Sequence, residues 1–249
     1  MNFAPGAWRY ALVGFLAAPF ALLFSVKASV VALLAGSATL AFFRDPDRTT
    51  PPTGLVSPAD GTVSVLREQG NRVRLGIFMN VWHVHVVRTP VDAHVVDIEH
   101  VSGANRPAFS KASDRNERVH VRLEATDPIT RASGDSSPDT PTVITDPPRE
   151  PSESVVDDAE PADSRQFTVT LIAGAFARRI VPYLEPDDEL DRGDRIGHIA
   201  FGSRVDVEFP PSVDIADIAV EPGDSMTAGE TVILEIDDMS SDMLTAAEN

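Results

Sequence analysis

Two hydrophobic patterns divide the chain. Between Arg9 and Arg44 the residues are almost all apolar and Lys27 carries the only charge. It splits the run into residues 10–26 and 28–43. Each half is near the lower limit of about 17 residues for a bilayer span, and together they are too long for one untilted helix. The pattern predicts a transmembrane helical hairpin within residues 1–44, turning at Lys27. Arg9, Arg44 and Arg48 would lie on the cytoplasmic side, with Trp8, Tyr10, Phe42 and Phe43 at the interface. A cleaved signal peptide is the competing reading, since Ala35-Gly36-Ser37-Ala38 offers small residues. The apolar run continuing to Phe43 weighs against it.

After Arg44 the period changes. Asp45-Pro46-Asp47-Arg48 and Pro51-Pro52 make a stiff polar exit. Short apolar runs bounded by Gly and Pro follow at 61–66, 72–79, 83–88, 94–101, 119–123, 167–173, 195–201, 204–209 and 231–236. Val119-His120-Val121-Arg122-Leu123 and Val205-Asp206-Val207-Glu208-Phe209 alternate with period two, the mark of half-buried strands. No long amphipathic helix is visible outside the apolar segment. The fold class expected is mainly β, a sandwich or partly open barrel. Residues 127–165 are rich in Pro, Ser, Thr, Asp and Glu and cannot bury enough apolar surface to offset their ordering entropy, so they read as a disordered acidic insertion. Residues 45–126 and 166–249 then form one domain, split in sequence and single in space.

Composition narrows the function. The 249 residues carry 38 acidic and 21 basic side chains, a net charge of −17, which argues against non-specific nucleic-acid binding. There is no Cys, hence no disulfide framework or thiolate site. The basic residues are 19 Arg and two Lys, Lys27 and Lys111, so biotin or lipoyl attachment and a pyridoxal Schiff base are excluded beyond position 111. An acidic, lysine-poor surface is the kind found in salt-adapted organisms.

The reactive inventory is small. His83 and His85 stand two apart, on one face if they lie in a strand. A metal pair lacks a matching third ligand, so no metal site is expected. A lone strand histidine is more often packed than catalytic. Ser57-Pro58-Ala59-Asp60-Gly61 reads as a turn, and Gly202-Ser203 reads equally well as a β-bulge. Neither a nucleophile elbow nor a glycine-rich phosphate loop is present.

Order and combination say more. Phe42-Phe43-Arg44-Asp45-Pro46, Ser57-Pro58-Ala59-Asp60-Gly61 and Ile77-Phe78-Met79 lead into His85-Val86-Val87-Arg88-Thr89-Pro90. Asn116-Glu117-Arg118, Ile172-Ala173-Gly174, Ala177-Arg178-Arg179-Ile180 and Arg192-Gly193-Asp194 follow, then Gly197, Ile199 and Phe201-Gly202-Ser203-Arg204. Together these resemble the short form of phosphatidylserine decarboxylase, a self-processing enzyme family, from Phe42 to about Ile236 apart from the acidic insertion. The segment 223–230 is similar to the turn-rich half of a biotinyl-type barrel, where the lack of Lys leaves a structural role.

The resemblance implies a mechanism. Ser203 attacks the Gly202 carbonyl, and elimination and hydrolysis of the resulting ester split the chain. Ser203 becomes a covalent pyruvoyl cofactor that forms a Schiff base with the serine headgroup and draws off the electrons left by departing carbon dioxide. His85 matches the motif histidine and would move the protons. Asp60 would orient or charge-stabilise it in the manner of a triad. Longer bacterial relatives carry a second histidine where this chain has Arg88, leaving open whether His85 serves both steps, with His83 as an extra candidate. Arg178 and Arg179 would hold the lipid phosphate, although a solvated pair fits their pattern nearly as well.

The expected partners are a phospholipid, the membrane and the two cleavage fragments held as a heterodimer. The expected location is the cell membrane, with the catalytic domain on the cytoplasmic side. Salt adaptation favours an archaeal ether lipid, archaetidylserine. The alternatives are a non-catalytic membrane-tethered β-barrel scaffold, or a serine hydrolase using Ser203.

Overall fold

The computed structural model describes residues 2–103, 115–129, 164–174, 179–200 and 203–236. A short strand β1 (Asn2–Phe3) precedes helices α1 (Ala7–Leu22) and α2 (Val26–Phe42), and β2 (Arg44–Asp45) returns to pair with β1. The helices touch at two glycines: a Cβ on Gly14 would fall 2.7 Å from the backbone nitrogen of Gly36, a contact only small residues permit. Lys27 lies in the first turn of α2, and the reversal itself falls at residues 23–25.

The transmembrane expectation is not supported. The helices have 16 and 17 residues, about 24–26 Å at 1.5 Å per residue, against a hydrocarbon core of roughly 30 Å. Among the described residues no helix is long and apolar enough to cross a membrane. The reversal at residues 23–25, ahead of Lys27, ends α1 at Leu22 and leaves each helix at the short length that the split apolar run allows.

The rest is antiparallel β-structure. In chain order the strands are β3 (Leu55–Val56), β4 (Gly61–Gln69), β5 (Arg72–Met79), β6 (Val86–Arg88), β7 (Ala93–Val101), β8 (Arg118–Ala125) and β9 (Gln166–Ala173). They continue with β10 (Ile180–Pro182), β11 (Glu189–Leu190), β12 (Arg195–Ile199), β13 (Ser203–Glu208), β14 (Ser225–Met226) and β15 (Val232–Leu234). Eight form one sheet in the order β11-β7-β8-β9-β13-β5-β4-β14, and β10-β12-β6 form a second. β15 pairs with β3. The large sheet ends at β11 and β14 without closing on itself, and register shifts between Val63 and Val65 and between Val95 and Asp97 add local bend and twist. This is the open, mainly β architecture that the alternating runs predict.

Alternation explains the core. In β8, Val119, Val121, Leu123 and Ala125 are buried while the residues between them are not. Val87, Ile180, Ile196 and Ile199 of the small sheet join Val169 and Leu171 of β9 in the same apolar cluster. Gly197 makes this packing possible, because a Cβ there would lie 2.8 Å from the Val181 carbonyl oxygen and 3.3 Å from a Leu171 methyl.

Two strands are shorter than their apolar runs. The run 83–88 forms a strand only from Val86, and the run 195–201 only to Ile199. Thus His83 and His85 do not share a strand face; they lie in the link from β5 to β6. The physical reason is the same in both places: the chain is leaving one sheet for the other. The acidic segment departs after Ile129, which is fully buried, and Ile129 donates its N–H to the Ser164 carbonyl oxygen at 3.3 Å. Residues 130–163, which make up most of the expected disordered insertion, lie outside the described residues.

Candidate active site

β5 is paired with β13 and β6 with β12. The link from β5 to β6, which carries His83 and His85, therefore passes between the end of β12 and the start of β13 at Ser203. Ile199 donates its N–H to the His85 carbonyl oxygen at 3.1 Å, and Ser203 is the residue opposite Met79. The fold thus brings the sequence-predicted nucleophile and histidine to one corner. Gly202 and Arg178 lie outside the described residues.

Ser203 is wholly buried, and its hydroxyl donates to the Met79 sulfur at 3.2 Å. A thioether is a weak acceptor, so the hydroxyl is held lightly. His85 is almost wholly buried. Its Nδ1 is 3.0 Å from the His83 carbonyl oxygen, and a carbonyl can only accept, so Nδ1 carries the proton. The lone pair of the neutral ring is then on Nε2. That atom is buried and has no hydrogen-bond partner among the described residues. Burial lowers the His85 pKa to about 4, outweighing the opposing pull of the His83 carbonyl, so the ring is neutral near pH 7. The Phe42 ring covers it, with centroids 4.3 Å apart. His83 accepts from the Asn80 N–H at 3.2 Å, and burial lowers its pKa against the pull of Asp60.

Asp60 sits nearby in a different relation from the one expected. Its carboxylate accepts from Arg48 at 2.8 and 3.0 Å, from the Ala228 N–H at 2.9 Å and from the Val84 N–H at 3.4 Å. It reaches the histidine link through the backbone between His83 and His85. In this arrangement the carbonyl of His83 orients the imidazole, the place a triad would give to a carboxylate.

Arg88, where longer relatives carry a histidine, belongs to another network. It is buried, and donates to the Gly193 carbonyl at 2.8 Å, to Asp45 at 2.8 Å and to the Pro46 carbonyl at 3.2 Å. The other Asp45 oxygen accepts from Arg195. The segment Phe42-Phe43-Arg44-Asp45-Pro46 therefore fastens the hairpin to the small sheet. Arg179 is exposed at the start of β10.

Sequence reasoning missed Arg48, the Phe42 cover and the pair of Tyr183 with His198. The Tyr183 hydroxyl is 2.7 Å from His198 Nδ1; burial lowers the His198 pKa to about 4 and is the main reason that Tyr183 is raised. Only the motif around Phe42 carried any signal of this in the sequence.

A family model described as phosphatidylserine decarboxylase matches residues 36–135 and 143–234. A Halobacterium salinarum protein named as an archaetidylserine decarboxylase proenzyme is 42% identical over 230 residues, 92% of this chain and 96% of its own length. A Methanococcoides burtonii protein of the same name is 42% identical over 194 residues, 77% of this chain and 72% of its own. A Streptomyces griseus phosphatidylserine decarboxylase proenzyme is 38% identical over 210 residues, 84% of this chain and 78% of its own. With the match running through both halves of the domain, the chain belongs to the phosphatidylserine decarboxylase family.

Proposed function

We propose that the protein is a carboxy-lyase that converts the serine headgroup of a phospholipid to ethanolamine, after cutting its own chain between Gly202 and Ser203. The observation that carries this is the buried, unpartnered Nε2 of His85 at the corner where Ser203 begins β13. A neutral imidazole with an open lone pair is the base that a serine hydroxyl needs.

In the cutting step His85 takes the Ser203 proton and the oxygen attacks the Gly202 carbonyl carbon, so the peptide C–N bond is exchanged for an ester. Elimination across Cα–Cβ of Ser203 releases residues 1–202 with a free carboxylate. Water then displaces ammonia from the new terminus and leaves a pyruvoyl group. The corner fits that group: it is buried, and the cut falls where the chain enters a strand. The pyruvoyl carbonyl would supply an electron sink for the electrons freed by carbon dioxide. His85 then holds the proton that is returned to the headgroup α-carbon, while Phe42 keeps water from the ring.

The two fragments would stay together. β13 lies inside the large sheet, paired from Ser203 to Glu208 with β5 on one side and β9 on the other. The hairpin supports membrane attachment without crossing: Leu16, Phe20, Leu23 and Phe24 are exposed along α1 and its turn, and such a surface is suited to one leaflet. The catalytic domain would then face the cytoplasm with the hairpin dipping into the same side. Two relatives at 42% identity carry the archaetidylserine name, which supports an ether-lipid substrate.

The test is carbon dioxide release from carboxyl-labelled phosphatidylserine and archaetidylserine in neutral detergent micelles. Release by the parent and none by Ser203→Ala is expected. An unbroken chain that releases no carbon dioxide, and whose Ser203 takes a serine-reactive probe, would instead favour a hydrolase.

A further inference from the structure

Where α1 meets the small sheet there is a cleft of about 630 Å³. The helix supplies Arg9, Tyr10 and Val13; the sheet side supplies Arg179, Val181 and His198. In a chain with 38 acidic residues against 21 basic ones, arginines readily find carboxylates, as Arg48, Arg74, Arg88, Arg122, Arg192 and Arg195 do. Arg9 and Arg179 have no side-chain partner among the described residues, and both line this cleft.

We propose that Arg9 and Arg179 together grip the phosphodiester of the lipid headgroup, so that the hairpin is one wall of the substrate site as well as an anchor. The proposal rests on the decarboxylase reading. Two guanidinium groups converging on one opening suit a phosphate, whose oxygens accept paired N–H bonds. His198 lines the same cleft, with its Nδ1 2.7 Å from the Tyr183 hydroxyl.

A second observation identifies the ligand as a lipid. Arg9, Val13, Leu16 and Phe20 follow one another at spacings of four, three and four along α1, hence on one helix face. Val13, Leu16 and Phe20 are 70%, 61% and 68% exposed. The face begins with a cation at the cleft and continues as bare apolar surface, which matches an anionic headgroup followed by an apolar tail. The cleft also lies close to the chemistry. Phe43 contacts His198 at 5.7 Å between centroids and Phe42 at 5.1 Å, and Phe42 covers His85. The Phe42–Phe43 pair thus links His198, which lines the cleft, to His85.

The experiment uses the full chain and has two arms. In the first, fully cleaved parent, Arg9→Gln, Arg179→Gln and Arg9→Lys are assayed on serine lipid in neutral micelles. Each Gln variant should raise KM about tenfold with kcat changed far less, and Arg9→Lys should recover most of the loss. In the second, uncleaved Ser203→Ala chains are bound to vesicles of a phosphate-free digalactosyl glycolipid with and without serine lipid, in competition with glycerophosphoserine or inorganic phosphate. Serine lipid should tighten binding, and either Gln substitution should abolish that gain. The tail-less competitors should displace the protein only at concentrations far above that of the lipid. Unchanged KM and unchanged preference for serine lipid in both Gln variants would overturn the proposal. Equal potency of inorganic phosphate and lipid would reduce the cleft to a free-phosphate site and overturn it too. If the parent releases no carbon dioxide, the decarboxylase reading fails, while the vesicle arm still decides whether the cleft holds the headgroup.

Discussion

Two buried polar regions lie within a few residues of each other, and they are built differently. At Arg88 the donors meet acceptors: both terminal nitrogens are bonded, and Asp45 takes Arg88 on one oxygen and Arg195 on the other. At His85 one ring nitrogen is bonded to a carbonyl and the other, equally buried, meets nothing among the described residues. An unsatisfied buried polar atom costs stability; among such side-chain atoms of the described residues, His85 Nε2 is the one imidazole nitrogen. The saturated network holds the hairpin to the sheet, and the unsaturated corner leaves an imidazole nitrogen open for the base role proposed above. Arg88 has taken up the structural role, which leaves His85 as the histidine for both proton steps in the proposed reaction.

That contrast can be broken experimentally. His85→Ala should slow self-cleavage by about 10²–10⁴-fold, the usual worth of a positioned general base, with little change in the unfolding midpoint; time courses of chain splitting on gels check both rate and yield. Arg88→Met should do the reverse. It leaves Asp45 half-paired and should cost about 3–5 kcal/mol of stability, read by denaturant titration, while whatever folds still cleaves. If Arg88→Met stays fully stable but fails to cleave, the assignment of the two regions is inverted.

Acid sharpens the same comparison. His85 and His198 are held near pKa 4 in the fold, against about 6.5 in an unfolded chain. Between those values the unfolded state binds more protons, so stability falls as pH is lowered from about 6.5 to about 4. The cleavage rate of folded protein should stay flat down to about pH 5 and drop only near 4, where His85 gains its proton. Phe42→Ala admits water to the ring and relieves the burial that lowers its pKa. The acid limb of cleavage should therefore move up by about one unit; an unmoved limb would mean that Phe42 does not set the environment of His85.

Much of the fold was legible because β8 and β13 alternate apolar and polar residues over a whole strand, a pattern local to the sequence. Strands of two or three residues, such as β2, β3, β11 and β14, have no period to read and exist through their partners alone. The histidine link was misread as strand because apolar Val84 and Val86 continue the alternation across the point where the chain changes sheets. At the site, the ordered motifs name Ser203, His85 and Asp60 as the candidates. The partner of Asp60 could not be read, since Arg48 stands twelve residues before it across a proline-rich exit and nothing in that spacing marks it as a partner. That Arg9 and Arg179 have no side-chain partner among the described residues is a three-dimensional fact with no sequence signature.

The most direct test of the account is the intact mass of the purified full-length protein. It predicts two chains, residues 1–202 and a blocked fragment beginning at position 203 whose terminus borohydride reduces, and one uncleaved chain for Ser203→Ala. A single full-length mass together with full decarboxylase activity, or a free serine amino terminus on the short fragment, would contradict it.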